Sequence, residues 1–138
     1  MCDLKFDDLN TLKKAQRKYL NEHMKPYELS STYVSFLEAL SIKEFSSQNE
    51  LSKFLNCNKA HTTRTLLKLE LLGYIDVKKR ICPKKRLITL TEKGKVITKE
   101  IIKINNEFLE TIFKDIPESD KNIFYTTLTK LIYNSKNC

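Results

Sequence analysis

Apolar side chains recur at helical spacing in six stretches of this 138-residue chain, and two further runs between the fourth and fifth stretches are β-rich. The first stretch covers about residues 4–24, where Leu9, Leu12, Tyr19, Leu20 and Met24 form a broken stripe that Pro26 ends. Ser30 is placed to cap a second helix, along which Tyr33, Phe36, Leu37 and Leu40 keep the period. Ser47 and Glu50 have capping-box spacing: the hydroxyl accepts from one free backbone N–H and the carboxylate from another. Leu51, Phe54 and Leu55 then fall on one face of a short helix. Asn56 stands where that helix must stop, and Asn58 is a good N-cap for the next one. Thr62, Thr65, Leu66, Leu69 and Leu72 give the next helix its inward stripe, and Gly73 ends it.

Residues 74–80 alternate Ile75 and Val77 with polar neighbours, the period-two pattern of a half-buried strand. Residues 86–91 make a second β-rich run, and Pro83 interrupts the ladder between them where a loop is required. Thr91 is placed to cap a long helix reaching about Lys114. Ile97, Ile101, Ile104 and Phe108 line one edge of it, and Ile102, Leu109 and Phe113 a second. A helix apolar over so wide an arc needs partners on two sides. Beyond Ile116 and Pro117 a last helix carries Ile123, Phe124, Leu128, Leu131 and Ile132. A winged core does not need this much helix at both ends, so the terminal helices are expected to pair with a second copy. The alternative is an intramolecular bundle around the core.

Helix, turn, helix, hairpin is the order of a winged helix-turn-helix lobe, and that order predicts duplex DNA binding. The face of the fourth helix opposite its stripe carries Ala60, Thr63, Arg64, Leu67 and Lys68, with Lys59 and His61 near its start. Short side chains permit close approach to a major groove, and Arg64 can reach guanine O6 and N7 together. The bland reading is an amphipathic surface helix with solvated charges. Leu67 fits a groove as a contact for a thymine methyl, whereas Leu71 on the same side fits neither reading. The hairpin adds Lys78, Lys79, Arg80, Lys84, Lys85 and Arg86 within nine positions, a cationic finger for phosphates or a minor groove. Lysines that keep a sheet edge soluble are its bland counterpart.

Charge placement favours the DNA-binding reading. Residues 59–86 hold nine Lys and Arg against two acids, Glu70 and Asp76. The other 110 positions hold sixteen against fifteen, so nearly all of the net +8 lies on the helix and hairpin proposed to meet DNA.

The same segment resembles the DNA-binding lobe of MarR-type transcriptional regulators. The resemblance is carried by Ser47-Gln48-Asn49-Glu50-Leu51, by Thr63-Arg64, by Leu69-Glu70 with Gly73, and most specifically by Leu90-Thr91-Glu92-Lys93-Gly94. Both glycines of the chain fall at the family's glycine positions. The expected architecture is mainly α with a small β-hairpin wing. A winged lobe at 30–94 and a connecting helix at 91–114 are flanked by dimerisation helices at 1–28 and 114–138. The resemblance implies a homodimer that places one reading helix per subunit in adjacent major grooves of a pseudo-palindromic operator. Lys59, Ala60, His61, Thr63, Arg64 and Lys68 would face base edges, and Ser47, Lys53 and the hairpin cations would meet phosphates. It further implies an effector or redox input where the terminal helices join the lobe. Tyr19, His23, Tyr33 and Phe36 are the candidates to line a cleft for a small aromatic effector. One departure stands out: the family's wing Asp-Arg-Arg is replaced by Cys82-Pro83-Lys84, and the wing is about one residue shorter.

Other classes find less support. There is no glycine-rich phosphate loop or nucleophile motif, so neither an enzyme nor a cofactor is expected. Cys2, Cys57, Cys82 and Cys138 form no CxxC pair and have no ligand spacing with His23 or His61, so no metal site is expected. Cys57 reads as a small core residue of the motif turn, and Cys82, among lysines and arginines that lower a thiol's pKa, is the redox candidate. No apolar run of membrane-spanning length occurs and the N-terminus lacks the pattern of a signal peptide, so a cytoplasmic protein is expected. The rival is a winged-helix interaction module whose basic hairpin binds an acidic protein.

Overall fold

The computed structural model describes residues 5–79 and 86–138. Its elements are α1 (Phe6–Met24), a 3-10 turn (Lys25–Tyr27), α2 (Ser31–Ile42), α3 (Gln48–Leu55), α4 (Lys59–Leu71), β1 (Ile75–Lys79), β2 (Arg86–Leu90), α5 (Glu92–Ile112) and α6 (Glu118–Ser135). The chain divides into two compact units, Met1–Asn105 and Asn106–Cys138.

The first unit is built on α2, which buries Val34, Phe36, Leu37, Ala39 and Leu40. Leu20 and Met24 of α1 join this core, as do Leu51, Leu66, Leu69, Ile97, Ile101 and Ile104. Each large side chain fully buried here contributes about 1.5–3 kcal/mol. Leu9 and Leu12, expected on the same stripe of α1, remain 40% and 49% exposed, so only the C-terminal half of that helix enters the core.

Two local expectations are corrected. Ser30 occupies the N-cap of α2 with extended backbone, but its side chain makes no cap bond. The Asn21 Oδ1 of α1 accepts from Ser31 N–H instead, at 2.7 Å. Phe54, expected inward with Leu51 and Leu55, is 51% exposed. Within this short helix the inward positions go to Leu51 and Ser52, which turns Phe54 to the rim. There it meets Phe45 edge-on at 5.3 Å, with Lys43 Nζ 5.7 Å from its ring.

The hairpin is antiparallel, in register from Ile75 opposite Leu90 to Lys79 opposite Arg86. Phe45, between α2 and α3, extends it by one rung: Ile88 N–H donates to the Phe45 carbonyl at 2.8 Å and Phe45 N–H returns a bond at 3.3 Å. Phe45 and Ile88 are fully buried, so the hairpin is anchored to the helical motif by backbone and side chain together. Thr91 caps α5 by accepting from Gly94 N–H at 3.0 Å, and its hydroxyl donates to the Gly73 carbonyl at 2.6 Å.

The second unit contains α6, none of whose residues is buried. Phe113, Phe124 and Tyr125 form an aromatic cluster with centroids 5.7–6.1 Å apart. Among the described residues no helix is long and apolar enough to cross a membrane.

Candidate nucleic-acid interface

The motif helices are held by matched caps. Ser47 Oγ accepts from Glu50 N–H at 3.1 Å, and Asn58 Oδ1 accepts from His61 N–H at 2.8 Å. Asn56 takes the left-handed conformation, φ 54° and ψ 46°, that lets the chain reverse between α3 and α4. Inside the joint, Ser52 Oγ donates to Thr62 Oγ1 at 2.8 Å, and both residues are buried.

The carboxylate of Glu50 reaches back one residue beyond the cap. It accepts from the Ser46 hydroxyl at 2.8 Å and from Ser46 N–H at 3.1 Å, and pairs with Lys43 at 3.1 Å. The Ser46 hydroxyl, then the Lys43 ammonium and the Ser46 N–H, hold this carboxyl at about 2 against an ordinary 4.5.

With Thr62, Thr65, Leu66 and Leu69 buried, α4 turns its other face outward. Lys59, Ala60, Arg64 and Lys68 are exposed on it, and His61 and Thr63 are half-buried. Lys53 of α3 is exposed, and Ser47 is half-buried at the start of that helix. None of Lys53, Lys59, Arg64 and Lys68 has an ion-pair partner among the described residues, which leaves four cations open to an anionic ligand. Leu67 is 57% and Leu71 84% exposed, and nothing described accounts for Leu71.

The hairpin is less completely described. Lys78 is exposed, 4.0 Å from Asp76, and Lys79 and Arg86 close the ladder as its last backbone pair. Arg80, Cys82, Lys84 and Lys85 lie outside the described residues.

The four aromatic positions expected around an effector cleft do not converge. Tyr19 and His23 stack on one another with centroids 4.0 Å apart, and His23 Nδ1 lies 2.8 Å from the Tyr19 carbonyl oxygen. Tyr33 is half-buried against the core. Of the four, Phe36 alone lines a cleft of about 460 Å³, whose other walls include Lys13, Gln16 and Arg17 of α1, Glu38 of α2, and Cys57 and His61 at the motif turn. Phe36 meets the His61 ring edge-on at 5.9 Å, so the cleft touches the outward-facing helix itself. Cys57, read as a small core residue, is a half-buried free thiol that packs against the core and also lines this cleft. Among the described residues no group of three or more His, Cys, Asp and Glu is arranged to hold a metal ion.

Sequence spacing missed three connections. The Phe45–Ile88 rung and the Lys43–Glu50 pair join residues on different elements, which no single-helix periodicity reports. Gln48 lies against Thr63 of α4 at 3.2 Å, although its place in the Ser-Gln-Asn-Glu string marked it only as part of a helix start.

No family model matches the chain. It is 27% identical over 127 residues to the HTH-type transcriptional regulator BilQ of Clostridioides difficile (strain CD3), covering 91% of this chain and 83% of that protein. It is 28% identical over 107 residues to the uncharacterized HTH-type transcriptional regulator YwoH of Bacillus subtilis (strain 168), covering 78% of each. In three dimensions it superposes on a MarR transcriptional regulator from Methanosarcina mazei Go1 with a TM-score of 0.88 and 26% identity, over 99% of this chain and 94% of that one.

Proposed function

Because this chain is, by its structure and its distant relatives, a winged helix-turn-helix transcriptional regulator of the MarR family, we propose that it is a cytoplasmic homodimeric repressor. In this reading it binds a pseudo-palindromic operator. The observation that carries the reading is the outward face of α4. It combines three cations without an ion-pair partner among the described residues, Lys59, Arg64 and Lys68, with the short side chain of Ala60. Such a face fits a major groove, where cations supply affinity and side-chain forks read bases. Lys59, Ala60, His61, Thr63, Arg64 and Lys68 face base edges, while Ser47, Lys53 and the hairpin cations Lys78 to Arg86 hold phosphates. Helices 1–28 and 114–138 pair the two copies.

The test is an anisotropy titration on random and operator-selected duplexes at two salt concentrations. Affinity for both falls steeply as salt rises. An absence of binding at low salt would instead favour the interaction module, in which the basic hairpin takes an acidic protein. Repression is tested by transcription in vitro from a template carrying the selected operator, where a rise in transcript on adding the protein would make it an activator.

The regulatory input belongs to the same reading. A small aromatic effector occupies the cleft that contains Phe36, Arg17 and His61, and its contact with His61 supports coupling to the reading helix. An oxidative input acts through Cys82. Peroxide should then change operator affinity reversibly, and Cys82→Ser should remove the response.

A further inference from the structure

We infer that Gln48 reads an adenine in the major groove, and that Thr63, on the groove-facing side of α4, also holds the Gln48 amide in position. This rests on the DNA-binding reading above. Thr63 Oγ1 lies 2.9 Å from the Lys59 carbonyl oxygen and 3.2 Å from Gln48 Oε1. A hydroxyl has one proton and two lone pairs, so it does not serve two acceptors fully. The Lys59 carbonyl is nearer and is the usual partner, one turn back, of a helical threonine. The oxygen and nitrogen of an amide have nearly the same shape, and exchanging them at Gln48 lets its NH2 donate to Thr63 Oγ1 and satisfies both groups. Protons then run in one direction, from Gln48 to Thr63 and from Thr63 to the Lys59 carbonyl.

This arrangement leaves Gln48 one N–H and its amide oxygen, and neither has another partner among the described residues. A donor beside an acceptor in one plane is the complement of adenine, which offers N7 as acceptor and its N6 amino group as donor. Gln48 stands on the first turn of α3, beside the Ser47 cap, and its prop stands on α4. A free glutamine side chain samples many rotamers. One tethered before DNA arrives has already lost much of that freedom, which favours binding in a fixed orientation.

The test uses the full chain and operators that it selects from random duplexes. Each adenine shared by the selected half-sites is replaced in turn by 7-deazaadenine, which lacks the N7 acceptor. The wild type should lose about fivefold in affinity at one such position per half-site. Gln48→Ala should be indifferent to the same replacement. Thr63→Val should lose most of the discrimination, and Thr63→Ser, which keeps the hydroxyl, should retain it. Melting curves of each variant separate loss of reading from loss of fold. A wild type indifferent to 7-deazaadenine at every position, or a Gln48→Ala variant as sensitive as the wild type, overturns the inference while leaving DNA binding intact. A wild type that binds no duplex at low salt overturns both.

Discussion

Ser52 Oγ donates to Thr62 Oγ1 at 2.8 Å, and Thr62 Oγ1 donates onward to the Asn58 carbonyl at 3.0 Å. Each hydroxyl thus commits its one proton, and the relay locks α3 to α4 at the level of the motif turn. Ser52 is 8% and Thr62 0% exposed, so water cannot easily replace a lost partner. Ser52→Ala should lower stability by about 1–2 kcal/mol, seen as a lower urea midpoint with an unchanged slope. Adding Thr62→Val to Ser52→Ala should cost less than the two single losses together, because the partners are removed as a pair. Additive losses would show that the two hydroxyls act separately.

The Glu50 carboxyl gives the fold a defined acid limb. Its pKa in the folded chain is about 2, below the ordinary 4.5, so the folded state favours the charged form. The stabilisation is fully present above about pH 4.5 and is lost as pH falls from there to about 2. Glu50→Gln should therefore flatten the fall in stability between those values and leave a less stable protein at neutral pH. The effect is moderated by solvent, since the Glu50 side chain is 39% exposed. Urea midpoints measured at pH 2.5, 4 and 7 would check it; parallel curves for both proteins would remove Glu50 from the account.

Helical periodicity foretold most of this fold because most of its order is local. Caps at Ser47, Asn58 and Thr91, the stop at Asn56 and the stripe from Thr62 to Leu69 all depend on residues within one or two turns. What stayed hidden is set by contacts between elements. Phe54 turned outward because the inward positions of α3 go to Leu51 and Ser52, a choice made by the neighbouring helices. Ser30 lost its capping role to Asn21, which lies on α1. The cations of the candidate interface were legible from charge placement alone. The Gln48–Thr63 contact was not, because residues 48 and 63 are brought together only by the angle between two helices.

The two glycines resist substitution for different reasons. Gly73 has φ +82°, a conformation that side chains disfavour, but a Cβ there would have space, with Lys93 Cδ the nearest atom at 3.7 Å. Gly73→Ala should cost about 1 kcal/mol from the backbone alone. Gly94 lies so close to the Tyr74 carbonyl that a Cβ would collide with its oxygen, and Leu90 Cδ2 would be 3.2 Å away. Gly94→Ala must push α5 from the base of the hairpin and should cost about 3 kcal/mol. Denaturant titration of both variants would rank them, and equal losses would contradict this division.

Arg64 and Lys53 should separate specificity from affinity. Arg64→Ala should weaken the selected operator by about 1–3 kcal/mol and relax base preference at one position per half-site. Lys53→Ala, which removes a proposed phosphate contact, should weaken selected and random duplexes alike and reduce the salt slope by about one unit per subunit. Titrations of both variants on both duplexes would decide. Loss of discrimination in Lys53→Ala with none in Arg64→Ala would reverse the assigned roles.

The last helix carries the strongest expectation about assembly. Ile123 is 64%, Phe124 44%, Leu131 51% and Ile132 49% exposed in the single chain. Phe124 and Leu131 are two turns apart on α6 and share a face. Folded monomers seldom leave extended apolar patches in water, so a second copy is expected to cover this helix. Sedimentation equilibrium should give a dimer at micromolar concentration, and Leu131→Glu should shift it toward monomer while circular dichroism retains the helix signal. Two linked readers bind two half-sites with a gain that one reader lacks. The same variant should therefore lose about a hundredfold on the operator and much less on random duplex. A wild type that sediments as a monomer, or a monomeric variant with full operator affinity, would remove pairing from the mechanism.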